Sequence, residues 1–369
     1  MKKALFLLIL SGMVGVNSWA IPTDEIAALR QRTEGVEASL SDSDHAIVDR
    51  FWRISLDAML LSEESAQVVS IRRQIEQQKG AHPDGGYAET YFDVGRRHLT
   101  TAFTTVANWQ DSPRKTLMER NLMILTAQLR GLPLVELGLD RLDDPDDIVR
   151  YWAVRAVTDT AIAQQLSSTE AGVADLAAKL FEALSDRAVQ EPDLEILRNV
   201  VRFAAMFNRN EARQILLTLA DRRIQAYMDW DVENEQFDVV LLKVMGQIVL
   251  ADRESEARAS MARRFAELLS MVFQRYLYEP SPLTEARRNA LLTVIAEVDS
   301  QVLTRIMEGQ TGIVRALQRR SGLDREYETL FGSELRPGEL ATRLGFNFGR
   351  TADGRVINAP PKLPAPTQP

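Results

Sequence analysis

The chain has 369 residues, of which 45% are hydrophobic and 26% charged, and it contains no cysteine. Those proportions suit a folded globular chain, and the missing thiols exclude disulfides, thiolate catalysis and Cys-ligated zinc together. A formal net charge of −8, from 44 basic and 52 acidic residues, argues against broad binding to nucleic acid or anionic lipid, which both need basic surface.

Met1 to Ala20 reads as an export signal. Lys2 and Lys3 supply the charged start, Ala4 to Val16 the apolar run, and Ser18-Trp19-Ala20 a small-x-small cleavage site. The run is short for a membrane span. No cysteine follows it, which closes the lipoprotein route. The expectation is a periplasmic or secreted protein, cleaved after Ala20, with no membrane insertion after signal removal. Loss of Lys2 and Lys3 leaves 42 bases against 52 acids, a net charge of −10.

From Thr23 to Gly80 the spacing predicts three helices. Ile26, Leu29, Val36 and Leu40 form a seam; Ser41-Asp42-Ser43-Asp44 then breaks the pattern and caps the next helix. Ile47, Val48, Phe51, Trp52, Ile54, Leu56, Met59 and Leu60 cover so much of that helix that it should be buried. Residues 80 to 86 are a Gly-rich loop. A helix from Ala88 to Trp109 follows, with Phe92, Leu99, Phe103 and Val106 inward, and Ser112-Pro113 opens another. Residues 21–110 are thus expected as an N-terminal helical region.

The most informative stretch runs from Asp144 to Val157. Asp144 and Pro145 stop one helix, and the carboxylates of Asp146 and Asp147 suit the start of the next. Val149, Ala153, Ala156 and Val157 then share one helical face, with Ala153 small enough to admit a close neighbour. This pattern, Asp-Pro at a turn, then Val-Arg, then a small residue, resembles the second half of a HEAT repeat, with every signature position (Asp144, Pro145, Val149, Arg150, Ala153) filled. The resemblance implies an α-solenoid, in which Arg150 pairs with acids of its own or the next turn.

Repeats should follow. Aligned on Ala153, the small position recurs as Val201, Gly246 and Ala290, at intervals of 48, 45 and 44 residues. The apolar position reads Val149, Leu197, Leu242 and Ala286, and the basic one Arg150, Arg198, Lys243 and Arg287. Helical stretches lie between them: Val173 to Leu184, Ala212 to Met228 and Ala257 to Tyr278. The reading is all-α: a HEAT-like α-solenoid of antiparallel helix pairs over 111–320. A cap over 321–358 would include turn Arg336-Pro337-Gly338 and a small hairpin at Asp353-Gly354 between Phe346 and Ile357. Residues 359–369 hold five prolines and read as a disordered or polyproline tail.

Such a fold implies a scaffold for another protein or extended segment in the bacterial cell envelope. Tyr151 and Arg155, off the apolar face of the helix that Asp146 and Asp147 start, are the candidate binding residues, since aromatic and Arg side chains anchor protein interfaces. No cofactor and no catalytic residue is expected. Two other readings stand beside this one: a self-associating envelope protein, and an enzyme or metal-binding protein with a site near His82. The histidines are His45, His82 and His98. His82, Asp84 and His98 could ligate zinc in principle, although no paired-ligand spacing demands it, and His45 with Asp49 reads as a surface pair. The acids from Asp229 to Glu235 fail the EF-hand pattern, with Asn234 where Gly is usual and Val240 where the last acid belongs. Arg doublets at 72–73, 96–97, 222–223, 263–264, 287–288 and 319–320 read as ion-paired helix faces. No nucleophile elbow, phosphate-binding loop or zinc-protease helix occurs.

Overall fold

The structure, a computed structural model, describes residues 21–33, 39–81, 85–168, 171–251, 256–277, 283–309, 311–319 and 321–364. The predicted export signal and His82 with Asp84 lie outside these. The fold is all-α. No described helix is long and apolar enough to cross a membrane. The chain separates into two compact units, Met1–Leu125 and Thr126–Pro369.

In the first unit, α1 (Thr23–Thr33), α2 (Asp42–Leu61), α3 (Ser65–Gln77) and α4 (Gly86–Ala107) are followed by α5 (Pro113–Leu129), within which the division falls. The expected cap is present: Ser41 and Asp44 form a reciprocal capping box at the start of α2. Phe51 and Trp52 of α2 are fully buried. The Trp52 Nε1–H donates to the Tyr91 carbonyl on α4 (3.0 Å), and the Tyr91 hydroxyl donates to the Ile75 carbonyl on α3 (2.6 Å). Burial pushes the Tyr91 phenol well above its ordinary pKa, which keeps it a neutral donor. Gly95 makes room for the indole, since a Cβ there would stand 2.5 Å from the Trp52 ring.

The second unit continues with α6 (Val135–Leu139), α7 (Asp147–Val157), α8 (Thr160–Gln165), α9 (Ala171–Gln190), α10 (Leu194–Ala204), α11 (Asn210–Met228), α12 (Gln236–Ala251), α13 (Glu256–Leu277) and α14 (Glu285–Val298). Two rows of neighbours result. α7 packs on α10, α10 on α12 and α12 on α14; α9 packs on α11 and α11 on α13. Between the rows, α10 meets α9 and α11, and α13 meets α12 and α14. Close approach at α7 depends on small residues: a Cβ on Gly138 of α6 would lie 2.6 Å from Val157 and 3.1 Å from the Ala153 carbonyl.

Beyond α14 come a π-helical turn (Asp299–Leu303), α15 (Thr304–Ile306), α16 (Ile313–Arg319), α17 (Leu323–Phe331), strands β1 (Gly332–Ser333) and β2 (Arg336–Pro337), and α18 (Glu339–Leu344). The sequence reading put a turn at Arg336-Pro337-Gly338. Instead Arg336 and Pro337 pair antiparallel with Ser333 and Gly332. The chain reverses again at Asp353-Gly354, where Gly354 takes φ +82° and an antiparallel bridge joins Arg350 to Val356.

Asp299 in the π-helical turn is buried, accepting from the Thr311 hydroxyl. Burial raises its pKa, more than the Thr311 bond lowers it. A carboxyl whose folded pKa is raised stabilises the fold below its unfolded pKa and loses that contribution as pH climbs. Asp299→Asn, which keeps an acceptor without charge, should therefore be more stable than the parent at pH 7. The difference should shrink toward pH 3.5, as read by urea midpoints of both proteins.

Candidate functional site

The site grows from two turns. In Asp144-Pro145-Asp146 the Asp144 carboxylate accepts from the Asp146 N–H (3.0 Å), and Asp146 caps α7 by accepting from the N–H groups of Ile148 (3.0 Å) and Val149 (3.1 Å). The turn Glu191-Pro192-Asp193 repeats this arrangement. Glu191 accepts from the Asp193 N–H (3.0 Å), and Asp193 caps α10 through Glu195 (2.7 Å) and Ile196 (3.4 Å). Proline before each cap removes a donor that would have no partner there.

Counted from these caps, α7 and α10 correspond at an offset of 47 residues. Val149, Ala153, Val154, Ala156 and Val157 then match Ile196, Val200, Val201, Phe203 and Ala204, all buried, while exposed Arg155 matches exposed Arg202. The sequence alignment, one residue longer, had placed Val201 against Ala153 and Arg198 against Arg150. It slipped because it was keyed on the small position and not on the cap. The fourth assignment also shifts: Ala286 is exposed and Ala290 only half-buried, because the inward face of α14 begins at Leu291.

Arg150 leaves α7 toward the second turn. It donates to the Asp144 carbonyl (2.9 Å) and to both oxygens of Glu191 (3.2 and 3.5 Å). Its acid is thus in the next turn, and its own turn supplies backbone carbonyls. Glu191 is fully buried. Arg187 of α9 lies 3.3 Å from the same carboxylate, and Arg222 of α11 donates to the Glu191 carbonyl (2.8 Å).

A groove of about 840 Å³ opens where the first turns of α7, α10, α12 and α14 come together. Asp147, Asp193, Glu195, Glu233 and Glu235 line it, along with Arg150, Arg198 and Arg287. Arg198 is engaged by Glu195 of its own helix. Glu235 is 4% exposed, lies 3.9 Å from Arg287, and its Oε1 has no hydrogen-bond partner among the described residues. A buried carboxylate oxygen left unbonded is costly, and this one borders the groove.

Tyr151 and Arg155 do not line the groove. They form a separate patch on α7 with Trp152: the two rings meet edge to face at 5.5 Å, and the Arg155 guanidinium sits 5.1 Å from the Trp152 centroid. Arg155 is exposed and both rings are half-buried.

Other candidate groups have other partners. His98 Nε2 lies 3.0 Å from Asp49 Oδ1, so Asp49 pairs with His98 and not with His45 as the sequence suggested. Among the described residues no group of three or more His, Cys, Asp or Glu could hold a metal ion. The acidic stretch scatters. Asp229 accepts from Gln225 (2.9 Å), the Glu233 carbonyl accepts from Arg223 (3.1 Å), and Glu235 turns inward. The arginine doublets likewise bind individual partners: Arg72 reaches Asn121, Arg223 reaches Asp238, Arg264 reaches Asp221 and Glu267, and Arg288 lies over Tyr276.

No protein-family model matches this chain, and no curated protein does either. Among solved structures, an engineered protein from the Northeast Structural Genomics Consortium is similar at 15% identity over 88% of this chain and 95% of that one. The TM-score is 0.24, too low for the likeness to bear on fold or function.

Proposed function

We propose that this chain is an exported, HEAT-like α-solenoid scaffold that holds an extended segment of another cell-envelope protein. The observation that carries the reading is the groove at the starts of α7, α10, α12 and α14. Helices spaced along the chain present their first turns side by side there, as successive repeats of a solenoid would. The two rows of packed helices and the matching acid-Pro-Asp turns support the same reading. The signal-like pattern of Met1 to Ala20 supports an exported location.

The lining suggests the ligand. Five carboxylates face three arginines, of which Arg150 is held by Glu191 and Arg198 by Glu195, while Arg287 lies 3.9 Å from Glu235. A polar, extended segment bearing a basic side chain would suit this acidic excess, since charge-assisted hydrogen bonds are the strong ones. Such surfaces draw most of their affinity from a few anchors.

Affinity capture from periplasmic extract tests this with three baits: the parent, Asp193→Lys with Glu235→Lys, and Tyr151→Ala with Arg155→Glu. Loss of the parent's partners by the groove variant alone is expected. If that variant retains every partner and keeps a parental circular dichroism spectrum, the groove is not the binding surface. Loss only with the α7 variant would move the site to the Tyr151–Trp152–Arg155 patch.

A further inference from the structure

Residues 359–364, expected as part of a disordered or polyproline tail, lie against α13 and the end of α11 within the second unit; 365–369 lie outside the described residues. The segment Ala359-Pro360-Pro361-Lys362-Leu363-Pro364 is held by side chains, not by a strand partner. Gln274 of α13, 3% exposed, donates through Nε2 to the Pro361 carbonyl (2.9 Å) and accepts at Oε1 from the Leu363 N–H (2.8 Å). Its Nε2 also reaches Ser270 Oγ (2.9 Å), which is 2.9 Å from the Tyr327 hydroxyl. The Trp230 Nε1–H donates to the Pro364 carbonyl (3.1 Å), and the Arg275 guanidinium stacks 4.4 Å from the Trp230 ring. Pro360 is buried. Proline fixes φ near −65° and keeps the residue before it extended, so Ala359, Pro360, Pro361, Leu363 and Pro364 are all restricted before they dock. An indole N–H and a side-chain amide reading carbonyls of a restricted proline-rich strand is how proline-rich ligands are generally recognised.

Trp230 itself points the same way. α11 ends in a Schellman turn, in which Asp231 N–H donates to the Ala226 carbonyl (2.9 Å) and Trp230 N–H to the Tyr227 carbonyl (3.1 Å). The earlier of these two donors in the chain, one past the C-cap, is normally glycine, because φ must be positive. Here it is Trp230, at φ +60°. A bulky side chain is thus kept where the backbone disfavours it, and that position sets the ring against the tail.

We propose that Trp230, Gln274 and Arg275 form a recognition site for proline-rich segments, which the chain's own residues 360–364 occupy in cis. A proline-rich segment of a partner protein is then the ligand in trans, and the tail is its competitor. This site is separate from the groove and stands whether or not the groove binds.

The test uses full-length chains and a fluorescein-labelled peptide of residues 357–369. In one chain Pro360, Pro361 and Pro364 are replaced by Gly to loosen the tail. By anisotropy, this chain should bind the peptide at least tenfold more tightly than the parent, whose tethered tail competes at millimolar effective concentration. Adding Trp230→Phe, which keeps the ring but loses the donor, should weaken binding roughly 2- to 12-fold. Adding Trp230→Gly, which suits the turn and so protects the fold, should abolish it. No binding by the loosened chain, equal binding of a peptide with its prolines replaced by Ala, or insensitivity to Trp230→Gly would each overturn the proposal. A concentration-dependent dimer of the parent by light scattering would also overturn it, making the ligand in trans a second copy's tail.

Discussion

Asp238→Ala should cost the second unit about 3–5 kcal/mol, as expected when one partner of a buried ion pair is removed. Asp238 is fully buried and takes both arms of Arg223, at 2.7 and 3.0 Å, with the Tyr227 hydroxyl donating at 2.7 Å. Burial works against the charged guanidinium, and the carboxylate beside it more than offsets this, holding the Arg223 pKa above its ordinary value. Burial and the Asp238 charge both push the Tyr227 phenol up, so it stays a donor. Without the carboxylate, Arg223 is a buried cation left with the Glu233 carbonyl and the faces of Tyr227 and Phe237, and no carboxylate bonded to it. Asp238→Leu with Arg223→Met removes both charges and should recover most of the loss. Urea midpoints at unchanged m-value provide the measurement. Equal losses in the single and double variants would show that packing, not charge, is what Asp238 supplies.

The second large effect is expected at Trp52→Ala, at about 3–5 kcal/mol. The side chain is fully buried where α2 meets α4, and its loss also removes the indole bond to the Tyr91 carbonyl. Gly95→Ala is the reverse experiment, forcing a methyl group against the indole at a cost of about 1–3 kcal/mol. The two sites touch, so Trp52→Phe combined with Gly95→Ala should cost less than the sum of its parts. Strict additivity would mean that the indole does not in fact fill the space over Gly95. Denaturant midpoints with near-ultraviolet circular dichroism report both.

Much of the local architecture was legible because it is local. Asp146 and Asp147 as the start of α7, the Ser41–Asp44 run as the cap of α2, and the buried face of Val149, Ala153, Ala156 and Val157 follow from residue types within one or two turns. Register between α7 and α10 was harder. Pro145 stands five residues before Arg150 and Pro192 six before Arg198, so counting from the small position misled where the caps would have served. The repeated acid-Pro-Asp string was the available signal. Arg223 with Asp238, Arg287 with Glu235 and Trp230 with Pro364 join separate elements, and the last spans 134 positions of chain. No short-range pattern encodes such pairings. The tail was read from composition, which reports what a segment cannot build alone and says nothing of a surface waiting for it. Trp230 passed as one residue in an acidic turn, since a positive φ leaves no mark in sequence when glycine is absent.

Glu191 has a thermodynamic meaning beyond geometry. One carboxylate with its carbonyl ties together Arg150 of α7, Arg187 at the end of α9, the cap of α10 and Arg222 of α11. A helical array without such a hub can fray one hairpin at a time, each opening on its own. Here any partial opening of these four elements would strand charge around a buried anion. Amide protons across α7, α9, α10 and α11 should therefore exchange with solvent as one block, at a shared opening free energy. Glu191→Gln should break that block into separately exchanging pieces.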